Sequence, residues 1–236
     1  MSSDKLPNKR SSNTEISRFL SGANTLPQRH STATSRRGRV IFALDATASR
    51  QPSWDRACQL QGQMFIATDA LGGLQLQLCY YCGFHEFHHS PWLTDSRSLL
   101  KTMSAVQCLG GYTQLERVLD HSLAEHHHTP VQAVIIIGDA VEEKVDKLCA
   151  KAGQLGLLGV PLFMFQEGGD SAARQCFQQM AQLSKGAYAA FDEHSAGELA
   201  DLLAAVATFA SGGHDALQRL QSGAAKQLLQ QLKHQG

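Results

Sequence analysis

The segment RVIFALDATAS, residues 39–49, decides how this 236-residue chain is organised. Its first half is an unbroken apolar run, which is typical of a strand buried on both faces of a sheet. The run ends abruptly at Asp45, and hydroxyl groups follow at Thr47 and Ser49. Alternate residues of an extended chain point the same way, so the three side chains can converge. Because ligands bind beyond the carboxyl ends of strands in open α/β sheets, we expect a binding site here.

Strand and helix patterns alternate along the rest of the chain. Further strands are predicted at 74–81, 131–139, 160–165 and 188–191, and helical patterns lie between them. Such alternation requires right-handed crossovers between parallel strands. Residues 84–92 follow a glycine and resemble a hairpin return, which predicts one antiparallel edge strand. The fold class is therefore α/β, with a doubly wound, mostly parallel sheet flanked by helices.

Two terminal segments lie outside this pattern. Residues 1–38 are rich in Ser, Thr, Asn and basic residues without an apolar period, which predicts a disordered basic tail. A basic arm for a partner or for nucleic acid is the alternative. Residues 211–236 carry Leu and Ala at helical spacing, which predicts an amphipathic helix. We favour packing of this helix against the domain at 39–210 over docking of a partner.

Composition excludes several functional classes. The formal net charge is zero, which argues against a general affinity for nucleic acid or for membrane surfaces. No stretch of about 20 apolar residues and no apolar secretion signal are present, so we expect a soluble, cytoplasmic protein. The six cysteines are spread through predicted core elements of a chain too large to need disulfides, and we expect them to remain thiols.

Two later segments supply side chains that belong with Asp45, Thr47 and Ser49. Thr113 ends a Gly-Gly-Tyr-Thr loop just before a predicted helix, and Asp139 follows the second buried strand. Two carboxylates balance a divalent cation, and three neutral hydroxyls add oxygen ligands. One octahedral position then remains for an outside oxygen. This donor set predicts a site for a hard cation, Mg²⁺ or Mn²⁺.

The ordered motifs resemble those of the von Willebrand factor A (VWA) domain. The metal-ion-dependent adhesion site (MIDAS) of that family uses Asp-x-Ser-x-Ser, a Thr in a later loop and an Asp after the fourth strand. Here Thr47 replaces the first Ser, and Tyr112 is inserted before Thr113. The resemblance covers residues 39 to about 210 and implies a Rossmann-like fold with metal ligands at Asp45, Thr47, Ser49, Thr113 and Asp139.

The resemblance also implies a function. In this family the free position of the metal captures a carboxylate from a partner protein, which makes the domain a binding module and not an enzyme. The chain is similar to cytoplasmic bacterial members of the family, which look like accessory proteins of AAA+ ATPases, chaperones or stress-response systems. We therefore expect an adaptor whose protein partner presents an acidic residue, with neither nucleic acid nor membrane as a partner.

A haloacid-dehalogenase-like phosphotransferase is the alternative from another class. In that class a buried strand ends in a nucleophilic Asp, a role that Asp45 could take. Three features count against it. The usual general acid would be Thr47, no cap domain is obvious, and no Lys lies between Thr113 and Asp139.

A zinc site is a third hypothesis. Cys79, Cys82, His85, His88 and His89 have spacings that superficially suit zinc. On a continuous strand, however, Cys79 and Cys82 face opposite sides. We therefore expect core thiols beside an exposed, histidine-rich edge.

The acidic pair Glu142 and Glu143 follows Asp139 closely. A helical pattern at 141–157 places the pair in the first turn of a helix, where negative charge is favourable. We expect this structural role, with tuning of the metal or repulsion of an acidic partner as the alternatives.

Overall fold

The computed structural model describes residues 37–192 and 196–233, and its strands form one sheet. The strands are β1 (Gly38–Asp45), β2 (Leu74–Cys82), β3 (Glu86–His89), β4 (Ala133–Gly138), β5 (Leu162–Glu167) and β6 (Ala187–Phe191). The helices are α1 (Gln51–Leu60), α2 (Gly62–Thr68), α3 (Ser96–Ser104), α4 (Leu115–His128), α5 (Val145–Leu157), α6 (Ser171–Leu183), α7 (Ala196–Arg219) and α8 (Gly223–Lys233). The order across the sheet is β3-β2-β1-β4-β5-β6.

Strand β1 lies in the middle of this sheet. Phe42 is paired in parallel with Leu78 of β2 on one side and with Ile135 of β4 on the other. The chain builds outward from β1 to β3, then returns to place β4 on the opposite side of β1. The strand order therefore reverses between β1 and β4, and the loops after these strands diverge to leave a crevice. Asp45 and Asp139 come at this reversal point.

Two apolar layers cover the faces of the sheet. The even-numbered residues of β1, such as Phe42, pack in the layer that includes α1, α3, α7 and α8. The odd-numbered apolar residues, such as Ile41, pack in the layer with α4, α5 and α6. Both layers draw on β1, which explains why its sequence is apolar at every position from Val40 to Leu44.

The edges of the sheet are protected differently. Strand β3 pairs antiparallel with β2 and carries polar, exposed residues. At the other edge, the Gln231 side chain of α8 accepts a hydrogen bond from Tyr188 N (2.9 Å) and donates one to Tyr188 O (2.8 Å). Helix α8 therefore covers the free edge of β6 and satisfies its backbone, as a capping element must.

The predicted fold class is confirmed: the sheet is mostly parallel, doubly wound and flanked by helices, with one antiparallel edge strand. The C-terminal segment packs through Leu217 and Leu228 against the domain, which agrees with the interpretation we favoured. Helix α7 continues past residue 210 and leaves helical geometry at Gly213. The predicted basic tail lies outside the described residues, apart from Arg37 and Gly38.

One helix prediction is wrong at its start. The pattern at 141–157 predicts a helix from residue 141, whereas α5 begins at Val145. Glu142 and Glu143 therefore lie in the preceding loop, and their charges act on a different helix. Within the described residues, no helix combines the length and the apolar character needed to cross a membrane.

Candidate metal centre

The loop after β1 gathers the first three predicted ligands. Asp45 is 4% exposed, and its Oδ1 accepts a hydrogen bond from the backbone N–H of Thr47 at 2.7 Å. This turn brings Thr47 Oγ1 to 3.5 Å from the hydroxyl of the exposed Ser49. The two hydroxyls thus converge as the alternation predicts.

Asp139 lies across the crevice and is coupled to the same loop. One of its carboxylate oxygens is 3.6 Å from the buried guanidinium of Arg50, which directly follows Ser49. The guanidinium also forms a 2.6 Å ion pair with Glu167, at the end of β5. Ser49, Arg50, Asp139 and Glu167 line one cavity of about 570 Å³. The ends of β1, β4 and β5 therefore share a single crevice.

Thr113 lies on a loop that is anchored by backbone hydrogen bonds to the loop after β1 and to the turn after β2. Leu109 N donates to Ala46 O at 3.0 Å, and Tyr112 N donates to Gly83 O at 3.1 Å. The second of these contacts needs a glycine at position 111. A Cβ on Gly111 would lie 1.8 Å from Gly83 O, far inside van der Waals contact. The glycine pair therefore serves close approach of two backbones.

The hydroxyl of Thr113 is held by the acidic loop after Asp139. It donates to Glu143 at 2.5 Å and accepts from Glu142 N at 3.0 Å. A hydroxyl oxygen has two lone pairs, so one remains for a cation. Thr113 lines a cavity of about 520 Å³ with Glu142 and Glu143, which is different from the cavity that Ser49 and Asp139 line.

Glu143 caps α4, and Glu142 binds the loop just before it, so neither acts on the helix that follows them. Glu142 accepts a hydrogen bond from Thr113 N at 2.8 Å, and Glu143 accepts from Glu116 N at 3.1 Å. Amide groups at the start of a helix lack partners within it, and carboxylates there oppose the positive end of the dipole. The predicted interaction of negative charge with the start of a helix is therefore present, but the helix is α4.

The electrostatics of the crevice favour a cation. Burial raises the pKa of Asp45, and the negative charge of Asp139 adds to that rise, whereas the hydrogen bonds from Thr47 and the charge of Arg50 oppose it. Tyr81 is buried near the same groups, and its hydroxyl has no hydrogen-bond partner in the described part of the chain. The charges of Asp45 and Asp139 repel each other, and a cation between them would relieve this repulsion.

The donor set fits a hard divalent cation. Asp45, Thr47, Ser49, Thr113 and Asp139 offer only oxygen atoms, which Mg²⁺ and Mn²⁺ prefer over nitrogen or sulfur. A bound cation would balance the negative charges of Asp45 and Asp139, which Arg50 alone does not balance.

Three residues beside the candidate metal centre were not predicted from the sequence. Arg50 and Glu167 form the buried ion pair that reaches Asp139, and Tyr81 lies beneath the site. Glu167 could have been found, because it ends a buried parallel strand as Asp45 does. Tyr81 carries no local signal, since an aromatic residue in a strand is ordinary.

Comparison with known proteins identifies the fold. No family model matches the sequence, and no curated protein matches it. Solved structures do match. The SpRpn10 VWA domain has a TM-score of 0.58 at 10% identity, over 70% of this chain and 95% of that one. The vWF domain of the type V pili tip protein Mfa5 from Porphyromonas gingivalis has a TM-score of 0.58 at 12% identity, over 74% of this chain and 95% of that one.

A third matched structure contains a bound metal. Proximal thread matrix protein 1 from the mussel byssus, with a zinc-occupied MIDAS motif, has a TM-score of 0.56 at 14% identity. The match covers 73% of this chain and 46% of that one. Identities this low establish architecture alone. The chain has the VWA fold, as the motif resemblance implies.

Proposed function

We propose that this VWA-fold chain is a metal-dependent protein-interaction module. In this proposal Asp45, Thr47, Ser49, Thr113 and Asp139 hold Mg²⁺ or Mn²⁺, and a partner protein completes the coordination with a carboxylate. We propose that residues 39–210 form the binding domain, on which the described helical residues of the C-terminal segment pack. The observation that supports the proposal is that the loop after β1 brings the hydroxyls of Thr47 and Ser49 to 3.5 Å from each other, while Asp139 follows β4 at the reversal point beside β1.

The surface beside the site suits a protein partner. The side chains of Phe84, Leu109 and Tyr112 are 61%, 45% and 56% exposed, although all three are large and apolar. Phe84 and Tyr112 contact edge to face, with ring centroids 5.3 Å apart. Exposed apolar groups gathered beside a polar site are typical of protein-binding surfaces. An acidic residue on the partner could reach the cation while its apolar neighbours cover these rings.

The phosphotransferase alternative is not favoured. The matched structures described above are VWA domains, and this class consists mainly of interaction modules. Asp45 is also already engaged by the backbone of Thr47, the residue that would have to act as general acid. A threonine hydroxyl has no accessible pKa for that role near neutral pH. We therefore propose a binding function without catalysis.

The finer assignment is an adaptor role. By resemblance to cytoplasmic bacterial VWA proteins, we propose that the partner belongs to an AAA+ ATPase, chaperone or stress-response system in the cytoplasm. The oxygen-only donor set supports Mg²⁺ or Mn²⁺ as the physiological cation. The zinc in the mussel protein is a property of that structure.

Calorimetric titration of Mg²⁺ and Mn²⁺ into the full chain tests the metal site. Asp45→Asn keeps the acceptor for Thr47 N–H but removes a charge, so it should abolish binding without unfolding the domain. Asp139→Asn should do the same. Ser49→Ala should weaken binding less, by roughly tenfold or below, since water can replace one neutral ligand.

Asp146→Asn is the matched control, because it removes one exposed carboxylate outside the site and should leave the titration unchanged. Undiminished metal binding by Asp45→Asn would refute the proposed site. Capture of proteins from a bacterial lysate, with and without EDTA, would then test the partner. A partner retained equally in EDTA would contradict capture of its carboxylate by the metal.

A further inference from the structure

The hairpin of β2 and β3 brings three chemically different side chains together. Cys82 lies directly opposite Glu86, and Tyr80 lies opposite His88. Residues two apart on a strand share a face, and opposite residues face the same side, so Cys82, Glu86 and His88 point the same way. Their ligand atoms lie within 4.8 Å of one another. The zinc hypothesis based on the sequence includes Cys82 and His88 but not Glu86.

The separations match the edges of a metal tetrahedron. Cys82 Sγ is 3.6 Å from Glu86 Oε2, and His88 Nε2 is 4.0 Å from the same oxygen. With Zn–S near 2.3 Å and Zn–O near 2.0 Å, tetrahedral angles place sulfur and oxygen about 3.5 Å apart. The first separation therefore already fits. The second must shorten by roughly 0.7 Å, which the half-exposed side chains of Glu86 and His88 can do.

We propose that Cys82, Glu86 and His88 form a second metal site, specific for Zn²⁺ or a similarly thiophilic divalent cation. A thiolate, an imidazole and a carboxylate suit zinc and exclude Mg²⁺, which takes oxygen ligands. Charge also balances, because one thiolate and one carboxylate neutralise a divalent ion beside a neutral imidazole. The solvent-facing fourth position is open to water or to an exogenous ligand.

Neighbouring side chains hold the site in position. The ring of His88 stacks on Tyr80, with centroids 5.0 Å apart and planes 25° apart, and Tyr80 contacts Trp54 edge to face. This stacking restricts the tilt of the imidazole ring and still allows the small shift toward Glu86. Cys79 faces the opposite side of the sheet, as the alternation predicts, and takes no part. The cluster is therefore different from the Cys-x-x-Cys arrangement considered from the sequence.

The proposed second site lies on the turn that anchors the Thr113 loop. Between Cys82 and Glu86 the chain turns at Gly83, whose carbonyl accepts the hydrogen bond from Tyr112 N. The carbonyl of Cys82 accepts another from the Gln114 side chain at 3.0 Å. A metal that clamps this turn would therefore stiffen the anchor of the Thr113 loop. The second site stands on its own ligands and does not depend on the proposed Mg²⁺ site.

Titration with Co²⁺, which reports a thiolate ligand through its charge-transfer absorption, tests the proposal. The full-length Asp45→Asn, Asp139→Asn double variant serves as host, so that the first site cannot contribute. We expect one equivalent of Co²⁺ to give the thiolate band and Zn²⁺ to displace it. His88→Gln and Glu86→Gln should each weaken Zn²⁺ binding at least about tenfold, since loss of even outer-shell partners has that effect. Cys82→Ser should remove the band.

His89→Gln is the matched control. His89 is adjacent to His88 but stacks on His121, with ring centroids 4.5 Å apart, so its loss should leave the band unchanged. The exposed His88 variant keeps the test decisive even if the buried Cys82 variant fails to fold. Binding without a thiolate band, or a band equally sensitive to His88→Gln and His89→Gln, would overturn the proposal. Mg²⁺ binding by wild type is measured separately, so failure of either site is recognised independently.

Discussion

Replacing Gly111 by alanine should damage the domain, whereas the same change at Gly110 should not. Neither glycine has a positive φ, so backbone strain does not separate them. A Cβ at position 111 would lie 1.8 Å from Gly83 O and 2.3 Å from Gly83 C. A Cβ at position 110 would have no heavy atom within 4 Å. Comparison of the two variants therefore measures the effect of one backbone contact, between the Thr113 loop and the β2–β3 turn.

The expected cost follows from two terms. To reach ordinary contact the loop must move by roughly 1.5 Å, which breaks the bond from Tyr112 N to Gly83 O and costs about 0.5–1.5 kcal/mol. Residual overlap adds about 1–3 kcal/mol, as in overpacked cores. Gly111→Ala should therefore lower the free energy of unfolding by about 2–4 kcal/mol. Gly110→Ala should stay within about 0.5 kcal/mol of wild type.

Urea unfolding, followed by circular dichroism, measures both variants, and Mg²⁺ calorimetry on the same samples reports the site. Displacement of Thr113 should weaken Mg²⁺ binding by about tenfold in Gly111→Ala, the effect of losing about 1.4 kcal/mol of ligand interaction. Gly110→Ala should bind like wild type. Equal stability of the two variants would show that the loop does not rest on Gly83. Normal Mg²⁺ affinity in a destabilised Gly111→Ala would exclude Thr113 as a ligand.

Two further predictions concern buried charges and pH. Arg50→Met should cost about 3 kcal/mol of stability, because it leaves the mostly buried carboxylate of Glu167 with the neutral Ser53 hydroxyl and the more distant cation of Arg56. Adding Glu167→Gln should recover most of this loss in urea unfolding, and no recovery would argue against a buried ion pair. Burial and the neighbouring His89 lower the pKa of His121 below its ordinary 6.5, so the unfolded chain binds the proton more readily and stability should fall as pH drops below 6.5. His121→Gln should show less of this fall than wild type between pH 7 and 5, and an identical profile would refute the assignment.

The sequence by itself determined the architecture and the edge of the sheet at which the candidate metal centre lies. Uniformly apolar strands such as residues 40–44 can exist only where both faces of a sheet are covered, which dictates helices on both sides. Parallel strands end at the same edge, so carboxylates after β1 and β4 had to share it. These conclusions rest on local periodicity and on a general topological rule. They need no knowledge of which side chains touch.

Tertiary structure alone decided the partners of individual groups. The sequence placed Glu143 in the helix nearest to it along the chain, but that carboxylate caps α4 from a loop, because the start of α4 lies closer in space. The union of Cys82, Glu86 and His88 likewise depends on the register of β2 against β3, which a shift of one residue would destroy. Pairing across the chain is set by packing of whole elements, and no local pattern of residues encodes it.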